Sequence, residues 1–185
     1  MKTKLAIFDL DGTLYDTRMT NYLSYRDALR QYNLELDYDY FSKYCNGRHY
    51  TEFLPQIMGN SNHINCVHTA KKEKYMFYLE MSIENQHLFN IISSIKDEYY
   101  IAIVTTASRK NCEEILSYHG RMSSFDLIIS QEDVKNKKPD PEGFQKAMDF
   151  FKVQCRNSII FEDSDVGIEA ALRSGATVFI VKGFA

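Results

Sequence analysis

The 185 residues of the chain are enough for one well-buried core with a small second module beside it. Its apolar fraction of 44% and charged fraction of 25% are those of an ordinary globular protein, and a net charge of −3 argues against a nucleic-acid polymer as partner. No stretch resembles a membrane span or a secretory leader, so we expect a cytoplasmic protein without a membrane partner.

The first predicted element is a strand at 5–8, where an unbroken apolar run is typical of a strand buried on both faces of a parallel sheet. Two carboxylates follow it, Asp9 and Asp11, and Gly12 ends the strand. A carboxylate held by the sheet, as Asp9 would be, can attack an electrophile such as phosphorus. Asp11 lies on a looser turn and can carry a proton, and Mg2+ would relieve the repulsion between the two acids. Taken alone, such a pair more often only begins a polar turn after a strand.

Residues 17–83 are poor in strand patterns and rich in helical spacing of apolar residues. The predicted helices cover 20–33, 39–45, 51–58 and 67–83. Pro55 falls inside the third of them, which is tolerable only in a first turn or as a kink. Arg48, in the break after the second helix, can reach a second anionic group of a substrate, or it is simply a surface arginine.

From about residue 85 onward, predicted strands and helices alternate. The predicted strands are 99–104, 125–129, 158–161 and 177–181, and helices lie between them and around 88–95. Ser108 and Asp140 are the expected N-caps of two of these helices. The alternation predicts an α/β fold, with a three-layer Rossmann-like parallel sheet formed by 1–16 and 84–185 and an all-helical domain inserted at 17–83.

Polar side chains follow two further predicted strands. Thr105 and Thr106 end the strand at 99–104, where a hydroxyl group can hold a phosphate oxygen, although threonine is also common in ordinary turns. Glu162 and Asp163 follow the strand at 158–161, either as acids of a site or as a cap of the next helix.

Lys138 precedes Pro139, which restricts the lysine backbone, so the side chain leaves the chain from a defined position. An ammonium group there can neutralise a phosphate and a nucleophilic carboxylate. The alternative is a solvated lysine cluster, because Lys135 and Lys137 are close in sequence.

Three sequence strings together resemble the motifs of the haloacid dehalogenase-like (HAD) superfamily. DLDGTLYDT, which begins at Asp9, resembles its nucleophile motif; KP at Lys138 resembles its lysine motif; and EDSDVG at Glu162 resembles its acidic metal motif. The resemblance covers nearly all of the predicted α/β core. It points to subfamily I with a C1 helical cap, the group of phosphoglycolate phosphatase and β-phosphoglucomutase.

The resemblance implies a role for each matching residue. Asp9 is the expected nucleophile and Asp11 the general acid/base. The expected phosphate-binding residues are Thr105, Thr106 and Lys138. The expected Mg2+ ligands are Asp9, the main-chain carbonyl of Asp11, Asp163 and Glu162, and Arg48 is the expected substrate contact of the cap.

These roles predict a Mg2+-dependent phosphatase that hydrolyses a small phosphomonoester metabolite through an aspartyl-phosphate intermediate. A β-phosphoglucomutase-like phosphomutase shares every core residue and is the alternative. A non-catalytic binding module is disfavoured because Asp9, Asp11, Thr105, Lys138 and Asp163 are all present.

Two further expectations concern the cysteines and the last strand. The four cysteines are widely spaced and predict reduced, packed thiols. Related chains usually continue with another strand and helix, whereas this sequence ends at Ala185, so we expect an uncovered sheet edge and a monomer or weak homodimer.

Overall fold

The computed structural model describes residues 2–59, 62–182 and 184. In chain order the strands are β1 (Lys4–Phe8), β2 (Tyr15–Asp16), β3 (Ile83–Glu84), β4 (Tyr99–Val104), β5 (Leu127–Ile129), β6 (Ser158–Glu162) and β7 (Thr177–Ile180). The α-helices are α1 (Arg18–Arg30), α2 (Tyr38–Tyr44), α3 (Tyr50–Met58), α4 (Ile64–Lys74), α5 (Gln86–Ile95), α6 (Arg109–Tyr118), α7 (Glu142–Phe151) and α8 (Asp165–Arg173). Short 3-10 segments cover Tyr75–Met81, Met122–Ser124, Gln131–Asp133 and Cys155–Asn157. Within the described ranges, no helix combines the length and the apolar character that crossing a bilayer requires.

The chain divides into two compact units. The first unit consists of Met1–Asp16 together with Glu84–Ala185, and the second of Thr17–Ile83.

The first unit is built on a parallel sheet, in which the described strands follow the order β5-β4-β1-β6-β7. The chain moves outward from β1 through β4 to β5 and then returns to the other side of β1 at β6. With right-handed crossovers, this reversal places α5 and α6 on one face and α7 and α8 on the other. The predicted three-layer α/β architecture is therefore confirmed.

The central strand β1 explains why the sheet forms where it does. Its residues from Leu5 to Phe8 are fully buried, as expected for an apolar strand with a paired neighbour on each side. Leu5 and Ile7 pack in one cluster with Phe144 of α7 and Ala170 of α8, on the same face of the sheet. The burial of these apolar side chains stabilises the first unit.

Serine caps begin two of the helices that follow sheet strands. The Ser108 hydroxyl accepts the Asn111 N–H (3.3 Å) at the start of α6, and the Ser164 hydroxyl accepts the Gly167 N–H (3.2 Å) at the start of α8. Each cap satisfies a backbone N–H in the first turn of a helix that begins shortly after the carboxyl end of a strand.

The second unit is helical and has its own aromatic core. Tyr25, Phe41 and Phe53 are buried together, with Tyr25 and Phe53 in an edge-to-face arrangement at 5.1 Å between ring centroids. Pro55 lies in the second turn of α3, and not in the first turn, where a proline is tolerated without a kink.

The helix predicted over 67–83 was wrong in its extent. The α-helix ends at Lys74, a 3-10 segment follows, and β3 begins at Ile83. Tyr78 has non-helical dihedral angles (φ −120°, ψ 15°), and its carbonyl accepts a hydrogen bond from the Thr20 hydroxyl at 3.0 Å. This tertiary hydrogen bond engages a carbonyl that a continuous helix would pair internally.

The expectation of packed cysteines was correct for half of them. All four thiols are free, but only Cys45 and Cys112 are buried. Cys66 and Cys155 are exposed, on the surface of α4 and in a short 3-10 segment respectively.

The burial of β1 predicts a clear contrast between two leucines of the first unit. Leu5→Ala removes a fully buried side chain from the centre of the sheet and should lower the free energy of unfolding by ~2–5 kcal/mol. Leu172→Ala changes a side chain that is 63% exposed, so its effect should stay within ~0.5 kcal/mol. Urea unfolding followed by circular dichroism measures both, and equal effects would contradict the assignment of β1 as the core strand.

Candidate active site

The polar residues that end the central strands meet at one edge of the sheet. Phe8 of β1 is in register with Ile103 of β4 and Phe161 of β6. The next residue, Asp9, donates its backbone N–H to the Phe161 carbonyl (3.0 Å), which extends the ladder by one residue. Glu162 therefore lies beside Asp9, at the point where the order of the strands reverses.

Lys138 connects the two acids. Its ammonium nitrogen lies 2.6 Å from Asp9 Oδ1 and 2.6 Å from Glu162 Oε1. All three side chains are at most 8% exposed. Burial by itself would lower the pKa of Lys138, but the charges of Asp9 and Glu162 outweigh it and raise that pKa above its ordinary value. The lysine is therefore a fixed positive charge at neutral pH.

The pKa values of two carboxyl groups in this cluster are raised. Burial raises the pKa of Asp9 well above its ordinary range; the Lys138 charge opposes this, and the charges of Glu162 and Asp163 add to it. Burial also raises the pKa of Asp163 to about 6, against a hydrogen bond from Thr13 that lowers it. Burial is the main cause of both shifts, and it disfavours the charged form of each carboxyl group.

Carboxylate oxygens of Asp9, Glu162 and Asp163 lie within 4.8 Å of one another. Mg2+ prefers such hard oxygen ligands, and commonly takes one or two carboxylates together with water and a substrate phosphate. The three carboxylates outnumber the Lys138 ammonium that pairs with two of them, and this excess of negative charge fits a divalent cation. Both Glu162 oxygens already accept hydrogen bonds, Oε1 from Lys138 and Oε2 from the Ser164 N–H at 2.8 Å, so Asp9 and Asp163 are the better placed ligands.

Two residues that are not among the predicted site residues, Gly12 and Thr13, confine Asp163. The buried Thr13 hydroxyl donates to Asp163 Oδ1 at 2.8 Å. Gly12 has a φ of +92°, and a Cβ atom there would lie 2.1 Å from Asp163 Oδ2. Both residues belong to the string DLDGTLYDT, but the string does not reveal a contact with a residue so distant in sequence.

The Glu162 carboxylate also packs closely against a glycine, Gly167. A Cβ atom on Gly167 would lie 1.7 Å from Glu162 Oε1, so only glycine fits beside this buried carboxylate. The first turn of α8 thus approaches Glu162 closely while Ser164 hydrogen-bonds to it.

Thr105 and Thr106 differ in their surroundings. Thr105 is buried directly after β4, and its hydroxyl oxygen accepts the Ala107 N–H at 3.0 Å, which leaves the hydroxyl hydrogen to be donated. Thr106 is exposed. Both line a hollow of the first unit together with Lys138. Thr105 is the stronger candidate, because it is buried and hydrogen-bonded.

The remaining candidates lie outside the Lys138 cluster. Asp11 is half-buried in the turn after β1 and forms a β-bridge with Tyr15. Arg48 belongs to the second unit, where it is exposed and its N–H donates to the Cys45 carbonyl at 3.1 Å. Lys135 and Lys137 are exposed, as expected for surface lysines.

Comparison with known proteins agrees with the fold and the motifs. A sequence model of the haloacid dehalogenase-like hydrolases matches residues 6–181. A fructose-1-phosphate phosphatase of Escherichia coli is 29% identical over 172 residues, which cover 91% of this chain and 91% of the relative. A phosphorylated carbohydrates phosphatase of Thermotoga maritima is 28% identical over 175 residues, which cover 92% and 81%. CbbY from Rhodobacter sphaeroides, solved in complex with phosphate, has the same fold, with a TM-score of 0.86 at 21% identity and coverage of 98% of this chain and 87% of that one.

The close contact between Gly12 and Asp163 predicts a specific effect on Mg2+ binding. Gly12→Ala should weaken Mg2+ binding at least ~10-fold, because the new Cβ atom displaces a proposed ligand. Gly120→Ala is the matched control: Gly120 also has a positive φ (+68°), but a Cβ atom there has no neighbour within 4 Å among the described residues. Calorimetric titration with Mg2+ measures both variants, and an unchanged affinity in Gly12→Ala would contradict the role of Asp163.

Proposed function

The chain belongs to the haloacid dehalogenase-like hydrolases, and we propose that it is a Mg2+-dependent phosphatase that hydrolyses a small phosphomonoester through an aspartyl-phosphate at Asp9. The observation that carries the proposal is the bridge formed by Lys138 between Asp9 and Glu162, with Asp163 beside them. The two phosphatases described above act, by their names, on phosphorylated sugars or carbohydrates. This supports a small phosphorylated metabolite as the substrate.

In the first proposed step, a carboxylate oxygen of Asp9 attacks the phosphorus atom of the substrate. An O–P bond to Asp9 forms and the O–P bond to the leaving group breaks. Asp11 donates its proton to the leaving oxygen, which departs as an alcohol. General acid/base catalysis of this type contributes roughly 100- to 10,000-fold to a rate.

In the second step, water attacks the same phosphorus atom. Asp11, now a carboxylate, accepts a proton from this water while the bond between phosphorus and Asp9 breaks. Inorganic phosphate leaves, and both aspartates return to their starting protonation states.

Lys138 and Thr105 serve both steps. The buried ammonium of Lys138 offsets the negative charge of Asp9, which would otherwise repel the incoming phosphate. The Thr105 hydroxyl can donate to a phosphoryl oxygen and orient it. Asp9, Asp163 and the main-chain carbonyl of Asp11 would hold Mg2+, with Glu162 close by; when bound, the ion neutralises phosphoryl charge and positions the group for in-line transfer.

For the second unit we propose a role in substrate selection. Arg48 would bind a second anionic group of the substrate, for which a guanidinium is well suited. Its exposure and its place in a turn between α2 and α3 are compatible with this role.

Asp9→Asn should lower phosphatase turnover by at least ~1,000-fold, because an amide oxygen is a far weaker nucleophile than a carboxylate. The variant should still fold, since asparagine has the same size and its oxygen can accept the hydrogen bond from Lys138. Asp165→Asn is the control, because Asp165 is an exposed residue of the same acidic string. Phosphate release and urea unfolding are measured for both, and an Asp9→Asn variant with unchanged turnover would remove the nucleophile assignment.

A panel of phosphomonoesters tests the reaction class. With Mg2+ present we expect inorganic phosphate to be released from at least one small phosphorylated metabolite, and we expect chelation by EDTA to abolish the release and added Mg2+ to restore it. A phosphomutase would instead produce an isomeric phosphate ester without stoichiometric phosphate. Absence of turnover across the panel would favour a non-catalytic binding module.

A further inference from the structure

The segment that delivers Lys138 to the site lies outside the regular elements. Residues 134–137 are neither helix nor strand, and Lys135, Asn136 and Lys137 are exposed. Yet Lys138 must hold its ammonium nitrogen 2.6 Å from two buried carboxylates at once. The backbone before Lys138 therefore needs an anchor other than a sheet ladder or a helix.

Glu142, the first residue of α7, is such an anchor. Its Oε1 accepts the Lys135 N–H at 3.0 Å and its Oε2 accepts the Asn136 N–H at 2.8 Å. Two consecutive peptide groups are thereby fixed relative to the helix by one carboxylate. The Glu142 N–H donates to Asp140 Oδ1 at 3.0 Å, so the chain is also held on the other side of Lys138.

Lys146, one helical turn further along α7, completes the arrangement. Its ammonium nitrogen lies 2.7 Å from Glu142 Oε1 and 2.6 Å from the Asp133 carbonyl, just before the segment. The hydrogen bond from Lys146, followed by those from the two backbone N–H groups, lowers the pKa of Glu142 to about 2. The carboxylate is therefore charged at neutral pH, the state in which both oxygens accept.

Helix α7 itself is a rigid base for this anchor. Phe144 is fully buried in the sheet core, and the Lys138 ammonium lies 5.2 Å from the centre of its ring. The same helix thus contacts the Lys138 ammonium through the Phe144 ring and holds the backbone of Lys135 and Asn136 through Glu142.

We propose that Glu142, supported by Lys146, is a positioning residue that aims the Lys138 ammonium at Asp9 and Glu162, an inference that rests on the proposed function. Glu142 touches neither Asp9 nor a bound phosphate in this scheme; it acts through Lys138. A displacement of about 1 Å at a catalytic group can cost on the order of 100-fold in rate, so the loss of this anchor is measurable.

A first test observes the position of Lys138 without any assay of activity. In nitrogen-15 NMR spectra the ammonium of Lys138 should give a slowly exchanging signal, because two buried carboxylates hold it; Lys138→Ala identifies the signal. Glu142→Ala should broaden or remove this signal. Glu98→Ala is the matched control, since Glu98 is an exposed glutamate with a lysine partner, Lys4, at 2.8 Å, and it should leave the signal intact.

A second test measures turnover. Glu142→Ala should lower kcat by ~10- to ~100-fold, and Glu142→Gln, which keeps one acceptor oxygen, should recover part of the loss. Because the effect passes through Lys138, Glu142→Ala should cost less than about twofold when added to Lys138→Ala. A residue with a purely structural role would impose the same loss in both backgrounds, and urea unfolding shows whether each variant folds.

The outcomes separate this proposal from the proposed function. An unchanged Lys138 signal in Glu142→Ala, or equal losses of kcat in the two backgrounds, would overturn the positioning role. A different outcome is that the wild-type chain shows no turnover, while the Lys138 signal disappears in Glu142→Ala. This outcome would remove the phosphatase assignment and leave the positioning role standing.

Discussion

The buried ion pairs of Lys138 with Asp9 and Glu162 are the interaction on which the rest of the site depends. Removing one partner of such a buried pair leaves an uncompensated charge and typically costs ~3–5 kcal/mol. Three segments that are far apart in sequence, around residues 9, 138 and 162, must therefore meet in one geometry. The parallel sheet supplies two of these positions by strand register, while the third comes from a segment without regular structure.

Close packing limits how this charge cluster can be built. Gly12 and Gly167 lie against the carboxylates of Asp163 and Glu162, so neither position has room for a side chain. The two carboxylates are thus confined by backbone as well as by hydrogen bonds from Thr13 and from the Ser164 N–H. Confinement of this kind reduces the reorganisation that a site must undergo during reaction, which is the basis of electrostatic preorganisation.

The sequence predicts those parts of the structure that local patterns encode. The apolar run of β1, the alternation after residue 85 and the Ser108 cap all express hydrophobic period or local hydrogen bonding, and each was confirmed. The helix predicted over 67–83 ends at Lys74 instead, and the Tyr78 carbonyl beyond it is engaged by Thr20, which is distant in sequence. Local patterns also could not predict the contact of Thr13 with Asp163, because it joins residues that only the folded sheet brings together.

The proposed division of labour between Glu162 and Asp163 also depends on the fold and not on residue type. Both are carboxylates at the end of β6, yet the two oxygens of Glu162 are engaged by Lys138 and Ser164. Asp163 instead accepts a hydrogen bond from the Thr13 hydroxyl, and burial raises its pKa to about 6. In the proposed scheme Glu162 holds Lys138 in place, whereas Asp163 would hold the external cation. Under this proposal the two adjacent acids would differ in function because Glu162 hydrogen-bonds to Lys138 and Asp163 to Thr13.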